Sequence, residues 1–239
     1  MKQLLLYIYR NIKKFLPRKL NTFIWDIYLS LLKKQSYSQY GEDLMINNFF
    51  ETHIGLENGN YLDIGCYHPV GISNTFLLHK KGWQGVVVDI DDYKLKLFKK
   101  RRGKSVEVVK GAISSQDSKS KVAIYKFNQP FSPYDTLSEE IAKMRSKEIN
   151  VDYKVEKVNQ ISINSLLSKK HYDLINIDIE GLDELIVNSI DFTKYQPTMI
   201  IYESFDPFSN SKTKELLYQN NYTLLFISGG SIGFVKKNR

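Results

Sequence analysis

Apolar positions recur along this chain in two rhythms. From about residue 60, short β-branched runs alternate with amphipathic stretches: "YLDIG", "GVVVDI" and "VEVVKGAIS" read as strands, and "SNTFLLHKKG" and "YKLKLFKKRRG" between them as helices. Strands separated by helices of this length imply parallel pairing through crossover connections. The series resumes with "DLINIDIEG" at 173–181, a helix around Asp183–Ser189 and "TMIIYES" at 198–204. After a last helix near Lys212–Asn220, "YTLLFIS" and "SIGFVKK" flank Gly229 and Gly230. Two glycines between two apolar runs predict a hairpin, so the sheet ends antiparallel. The whole reads as α/β, with helices on both faces of a mostly parallel seven-stranded sheet.

The interval from Ser115 to about Lys170 breaks this rhythm. It holds one strand, "VAIYKF", a helix near Ser138–Lys147 and the run "YKVEKVNQISINSLL", with Phe127, Phe131, Tyr134 and Tyr153 among its aromatics. A connection this long inside a compact domain is a lid, an inserted piece or elaboration on the sheet's flank. Placed between the third and fourth parallel strands, it is expected near the ligand edge.

Before residue 36 the period is helical. Leu5, Ile8, Ile12 and Phe15 share one face, and Ile24, Ile27, Tyr28 and Leu31 share another after Pro17, which predicts two short amphipathic helices. Charge separates this segment from the rest. Of the formal +8, +7 falls on residues 1–35, which carry eight basic side chains against Asp26 alone. The run "LLLYIY" is far short of the ~20 residues of a membrane span, and Arg10 follows too early for a signal peptide. The expected organisation is a basic helical extension over 1–36 and one main domain over 37–239, with an insertion at about 115–170. The extension either packs on the outside of that domain or lies on an anionic lipid surface.

The near-neutral body lacks the basic stripe of a nucleic-acid binder. Cys66 is the only cysteine, so neither an intramolecular disulfide nor a cluster of thiol ligands is available. A reducing, cytoplasmic setting is expected, peripheral to the inner face of the membrane if the extension is an anchor.

The candidate chemistry begins at the first turn, "DIGCYHPVGISNT". Ligands of open α/β sheets sit outside the carboxyl ends of the strands, where strand order reverses. A dinucleotide would call for G-x-G-x-x-G at a helix N-terminus, whereas this turn has Gly65, Tyr67, Pro69 and Gly71. No glycine-lysine-serine or glycine-lysine-threonine triplet follows a strand either. What fits is a ligand without phosphates that carries an ammonium and a ribose, the shape of S-adenosylmethionine. Asp63 would pair with the ammonium directly or through water, Gly65 would let the chain pass close, and Asp89 would accept two ribose hydroxyls. The competing readings are a turn cap for Asp63 and a helix N-cap for Asp89.

Further along, alternation in "INIDIEG" sets Asn176, Asp178 and Glu180 on one face and Ile175, Ile177 and Ile179 on the other. In a parallel sheet covered on both sides, buried carboxylates need partners or a ligand, so this strand end marks a site. Methyl transfer to a hydroxyl also needs a proton acceptor. Asp178 is the first candidate and Glu180 the second, with His68 and Glu203 behind them. Asn74 would fix the cofactor tail or the acceptor, or cap a helix, and Gln39 and Glu42 read as caps. Asp178, Glu180 and Glu203 are hard-cation ligands in type, though nothing in their spacing demands Mg²⁺.

Six pieces in register, "SQYGED", "DIGCYHP", "SNT", "GWQGVVVD", "GAIS" and "DIEGLDE", resemble the FkbM-type methyltransferases. The resemblance implies a class I methyltransferase Rossmann-like fold and S-adenosylmethionine as cofactor. It implies Asp63, Gly65 and Asp89 around the cofactor, Ala112 and Ile113 near the adenine, Asp178 and Glu180 at the reaction edge, and Gln39 and Glu42 closing over the cofactor. The full set of expected cofactor contacts is Asp63, Gly65, Cys66, Asn74, Asp89, Ile90, Ala112, Ile113 and Asp178. Two positions depart from the pattern: Ile90 stands where Glu-Pro is frequent after the second strand, and Leu182 where histidine is common.

The expected activity is O-methylation of a sugar hydroxyl on a glycan or glycolipid. Two rivals stand beside it. A nucleic-acid or other small-molecule methyltransferase is disfavoured where "DIEG" replaces an Asn/Asp-Pro-Pro-aromatic motif. A noncatalytic adaptor recruiting partners through residues 1–35 would have no need of Asp63, Asp89 and Asp178.

Overall fold

A computed structural model describes residues 35–115, 120–127, 132, 134–179 and 181–237. Both predicted N-terminal helices and Glu180 lie outside the described residues.

Helix α1 (Glu42–Asn48) continues into a wider π-type turn over Phe49–Ile54. Then β1 (Asn60–Ile64), α2 (Phe76–Lys80), β2 (Gln84–Asp89), α3 (Asp92–Arg102) and β3 (Val106–Lys110) follow as two βαβ steps in the predicted order. The predicted third strand is not continuous. It stops at Gly111, and Ala112–Ser114 forms β4 in a separate sheet. Gly111 is where the chain peels away: a methyl there would lie 2.3 Å from the Ile161 side chain, so only bare backbone can cross at that point.

The irregular interval builds the second sheet, β5 (Lys121–Phe127), α4 (Glu139–Ile149) and β6 (Tyr153–Ser162), in the order β4-β6-β5. Its last helix, α5 (Ile163–Leu167), is not part of the excursion, because Ile163, Leu166 and Leu167 are buried in the main core. The main sheet resumes with β7 (Leu174–Ile177), α6 (Asp183–Asn188), β8 (Met199–Glu203), α7 (Lys212–Gln219), β9 (Tyr222–Ser228) and β10 (Ser231–Lys236).

The main sheet runs β3-β2-β1-β7-β8-β10-β9, parallel except for the closing hairpin. This is the class I methyltransferase fold. The chain builds outward from β1 to β3 and then returns to place β7 beside β1. The order therefore reverses between β1 and β7, and a crevice opens beyond their carboxyl ends.

Alternation along the strands sorts side chains into two cores. Leu62, Ile64, Ile175 and Ile177 pack under α5, α6 and α7. Tyr61, Val87 and Leu174 pack with Leu95 and Phe98 of α3 and with Phe50 and Trp83. Asp63 and Asn176 project to this second side, since each lies two residues on from one of its core members. They are polar residues at the rim of an apolar layer, and that is where the site is built.

Candidate functional site

Beyond β1 and β7 lies a narrow, open cleft of about 40 Å³. Its floor is Asp63, Gly65 and Asn176, and Ser73 and Asn74 from the first turn form one wall. Asp178, Glu203 and Gly230 form the opposite wall, with Gln39, Tyr40 and Glu42 crossing over them.

Asp63 is buried, with both carboxylate oxygens engaged. Thr75 Oγ1 donates to one at 2.5 Å, and Asn176 Nδ2 donates to the other at 2.9 Å. Asn176 in turn accepts from Asn74 Nδ2 at 3.0 Å, so Asn74 belongs to the floor and caps no helix. Behind Thr75 stands Arg102, also buried. Its guanidinium donates to Thr75 Oγ1 and Tyr61 Oη at 2.9 Å, and to Ser73 Oγ and the Pro69 carbonyl at 2.8 Å. One cation thus sets the shape of the whole first turn. Burial still raises the Asp63 carboxyl above its ordinary value, against the pull of Arg102 and of the Thr75 and Asn176 hydrogen bonds.

Gly65 has φ +75, and a methyl on it would lie 1.7 Å from the Asp178 carbonyl oxygen. The glycine is required by the approach of the two strand ends. Asp178 sits just past β7, its N–H donating to the Ile64 carbonyl at 3.0 Å. Sequence alternation extends the strand through Glu180, whereas regular pairing ends at Ile177. Asp178 therefore stands at the rim and is not part of the ladder. Glu203 ends β8 opposite Ser231.

The remaining predicted contacts lie on the other side of the first turn. Asp89 ends β2 and is buried, receiving the Asp91 N–H at 2.8 Å, with Lys94 Nζ 3.9 Å away. The cap of α3 is Asp91, whose side chain accepts from Tyr93 and Lys94, so Asp89 is left to face the sheet's edge. Burial raises the Asp89 carboxyl, and Lys94 opposes that rise. Ile90 packs on Ala112, Ile124 and Val158, and Ile113 is buried in the main core, leaving only its backbone for a ligand. Cys66 is buried, and its thiol is pushed well above the usual range by burial and then by Asp89 and Asp63. It stays protonated between the two acids. Asp89, Ile90, Ala112 and Ile113 do not line the cleft of Asp63 and Asp178. The predicted cofactor contacts thus fall into two groups, one lining the cleft and one outside it.

His68 is turned away from both. Its Nδ1 accepts the N–H groups of Gly71 at 3.0 Å and Val70 at 3.2 Å, which folds the turn back on itself. Burial, then Arg101 and Arg102, lower its pKa, so the ring is neutral at pH 7.

Arg102 and Thr75 of this network are residues to which sequence reasoning gave no role in the site. Arg102 has a signal: it continues the buried stripe of Leu95 and Phe98 at a spacing of four, where an apolar residue would otherwise stand. Asn176 was placed on the correct face, but its bond to Asp63 follows only from the pairing of β1 with β7.

A sequence model of the methyltransferase FkbM domain matches residues 63–224, more than half of the chain. The chain belongs to the FkbM methyltransferase family. No curated protein matches it. Solved structures similar to this FkbM chain include an O-methyltransferase from Bacillus cereus in complex with SAH, 15% identical over 99% of this chain and 100% of that one, with a TM-score of 0.40. A TehB-like SAM-dependent methyltransferase from Corynebacterium glutamicum is 14% identical over 92% and 97%, with a TM-score of 0.41. Precorrin-6y C5,15-methyltransferase from Geobacter metallireducens is 10% identical over 86% and 93%, with a TM-score of 0.42.

S-adenosylmethionine is the cofactor that this FkbM domain and its topology call for. The cleft suits it on chemical grounds. Four carboxylates line it, from Glu42, Asp63, Asp178 and Glu203, and among the described residues no lysine, arginine or histidine does. Such a lining favours a cationic ligand, which the cofactor is at both sulfur and amino group.

Proposed function

We propose that the protein is an O-methyltransferase whose acceptor is a hydroxyl of a neutral sugar on a glycan or glycolipid. The acid-lined cleft carries this reading. Carboxylates at the rim accept hydrogen bonds from hydroxyl groups and repel phosphate or carboxylate acceptors. Two residues past Glu203, Phe205 is 90% exposed and lies against Gly181, and Phe208 is 81% exposed. Flat apolar faces next to hydrogen-bond acceptors match a pyranose ring, with its C–H face and hydroxyl edge.

When bound, the cofactor supplies a methyl group activated by the sulfonium charge. The chain's part is to hold the acceptor in line and receive its proton. Asp178 is the acceptor of that proton: it lies in the cleft at the end of β7, beside the glycine that admits the cofactor. As the oxygen–methyl bond forms and the methyl–sulfur bond breaks, the hydroxyl proton passes to the Asp178 carboxylate and from there to solvent.

The test is transfer of labelled methyl from S-adenosylmethionine to neutral glycosides, with their phosphorylated and uronic-acid analogues in parallel. O-methyl product from the neutral series alone is the expected result. Product from nucleic acid or amine substrates, or from none of these with cofactor bound, overturns the reading.

The basic segment 1–35 would keep the enzyme near membrane-borne acceptors at an anionic surface. Among the described residues no helix is long and apolar enough to cross a membrane. Liposome flotation with and without residues 1–35 checks the attachment: unchanged binding to anionic vesicles removes it.

A further inference from the structure

Two adjacent acids open α1, and they point to different tasks. Asp43 is fully buried and its carboxylate is consumed by the segment before it, accepting from Ser36 Oγ at 2.6 Å, Tyr37 N at 2.8 Å and Ser38 Oγ at 2.9 Å. Those bonds tie residues 36–42 into a strap over the cleft. The strap is fastened on one side by the Ser73 N–H donating to the Tyr37 carbonyl at 2.9 Å. On the other, the Tyr40 ring lies so close to Gly229 that a methyl there would be 2.5 Å away.

Glu42 is only 2% exposed, yet its side chain lines the cleft. Its one hydrogen bond among the described residues comes from the Tyr40 N–H, to Oε2 at 2.9 Å. Oε1 accepts none there. A carboxylate this deeply buried is costly without a partner for its charge, and among the described residues no basic side chain lines the cleft to supply one. Asp63 beside it differs, because each of its oxygens already accepts an internal hydrogen bond and Arg102 stands behind Thr75.

We infer that Glu42 is the carboxylate that receives the α-ammonium of the cofactor's amino-acid portion, with Asp63 shaping the floor beneath it. This rests on the cofactor reading above. It assigns the strap a binding task that neither the first turn nor the ends of β1 and β2 can perform alone. An ammonium offers three donors and no acceptor, so it completes Oε1 where an acceptor hydroxyl would leave the charge uncompensated.

The test uses the full chain, unaltered and as Glu42→Gln, with S-adenosylhomocysteine and with 5′-methylthioadenosine, which lacks the amino-acid portion. Glutamine retains an oxygen for the Tyr40 N–H, and unchanged melting temperature checks the fold. In the variant the dissociation constant of S-adenosylhomocysteine should rise about tenfold or more, while that of 5′-methylthioadenosine stays within about twofold. Glu42→Asp, which keeps the charge but withdraws it by one methylene, should fall between. Unchanged affinity for S-adenosylhomocysteine, or equal weakening of both nucleosides, overturns the assignment while leaving the cofactor in place. An unaltered chain that binds neither nucleoside overturns the cofactor reading itself.

Discussion

Asn176 and Asp63 face each other across the seam between β7 and β1, at the same register position, joined by a 2.9 Å hydrogen bond. The bond spans the point where strand order reverses, so the two halves of the sheet are keyed together by the residues that floor the cleft. Replacing Asn176 with leucine strands the Asp63 oxygen and the Asn74 amide together. The expected cost is about 1–3 kcal/mol in urea unfolding, accompanied by weaker S-adenosylhomocysteine binding.

Arg102 makes four hydrogen bonds from a buried position and holds the first turn in shape. Arg102→Met keeps the stem and removes the charge, leaving Thr75, Ser73, Tyr61 and the Pro69 carbonyl without their donor. A loss of about 3–5 kcal/mol is expected. A change under about 1 kcal/mol by denaturant titration would show that the turn stands without it.

Gly65 faces two demands, a positive φ and the Asp178 carbonyl. Alanine at this position must displace the end of β7. The destabilisation should be about 2–5 kcal/mol, and the variant should lose cofactor binding even where it folds. Wild-type affinity by calorimetry would refute the close approach.

Asp178→Asn keeps the size of the side chain and removes its basicity. Turnover should fall about 10²-fold or more, with cofactor affinity unchanged within a few fold. Unaltered turnover would take away the assignment of Asp178 as proton acceptor.

The Asp63 carboxyl is raised by burial, so the folded chain keeps its proton at pH values where the unfolded chain has lost it. Its stabilising contribution is full below the unfolded value and is lost as pH rises through the folded one. Asp63→Asn cannot titrate. Relative to the unaltered protein, the variant should therefore gain stability as pH rises across that window and run parallel to it on either side. Urea unfolding of both proteins from about pH 3.5 to 8 measures the difference. A difference, variant minus unaltered, that falls or stays constant as pH rises would contradict the burial-driven shift.

The parallel strands, their crossovers and the closing hairpin were legible because each is written locally, in runs of β-branched residues and in two glycines. Asp63 and Gly65 were legible for the same reason, standing at the end of an apolar run. The break at Gly111 was not. "VEVVKGAIS" carries strand propensity throughout, and what divides it is a close approach by Ile161, fifty residues later. The outer end of β7 was overextended because alternation persists past the point where the neighbouring strands stop. Glu42 read as a cap, and it does hold a backbone N–H. Its exposure to the cleft depends on the strap, whose position follows from tertiary bonds to Ser73 and Gly229. Local pattern located the elements, and long-range contacts decided which polar groups face one another.

The departure of the chain at Gly111 has a consequence for how this architecture can diversify. The small sheet hangs from the main one at the end of β3 and rejoins it through α5, so changes in its length leave the register of the seven strands untouched. Lys126 of β5 pairs with Asp91 at 2.9 Å, which ties this appendage to the loop between β2 and α3. Insertions and deletions in this suspended module can thus remodel one edge of the molecule while the Asp63, Gly65 and Asn176 floor stays in place.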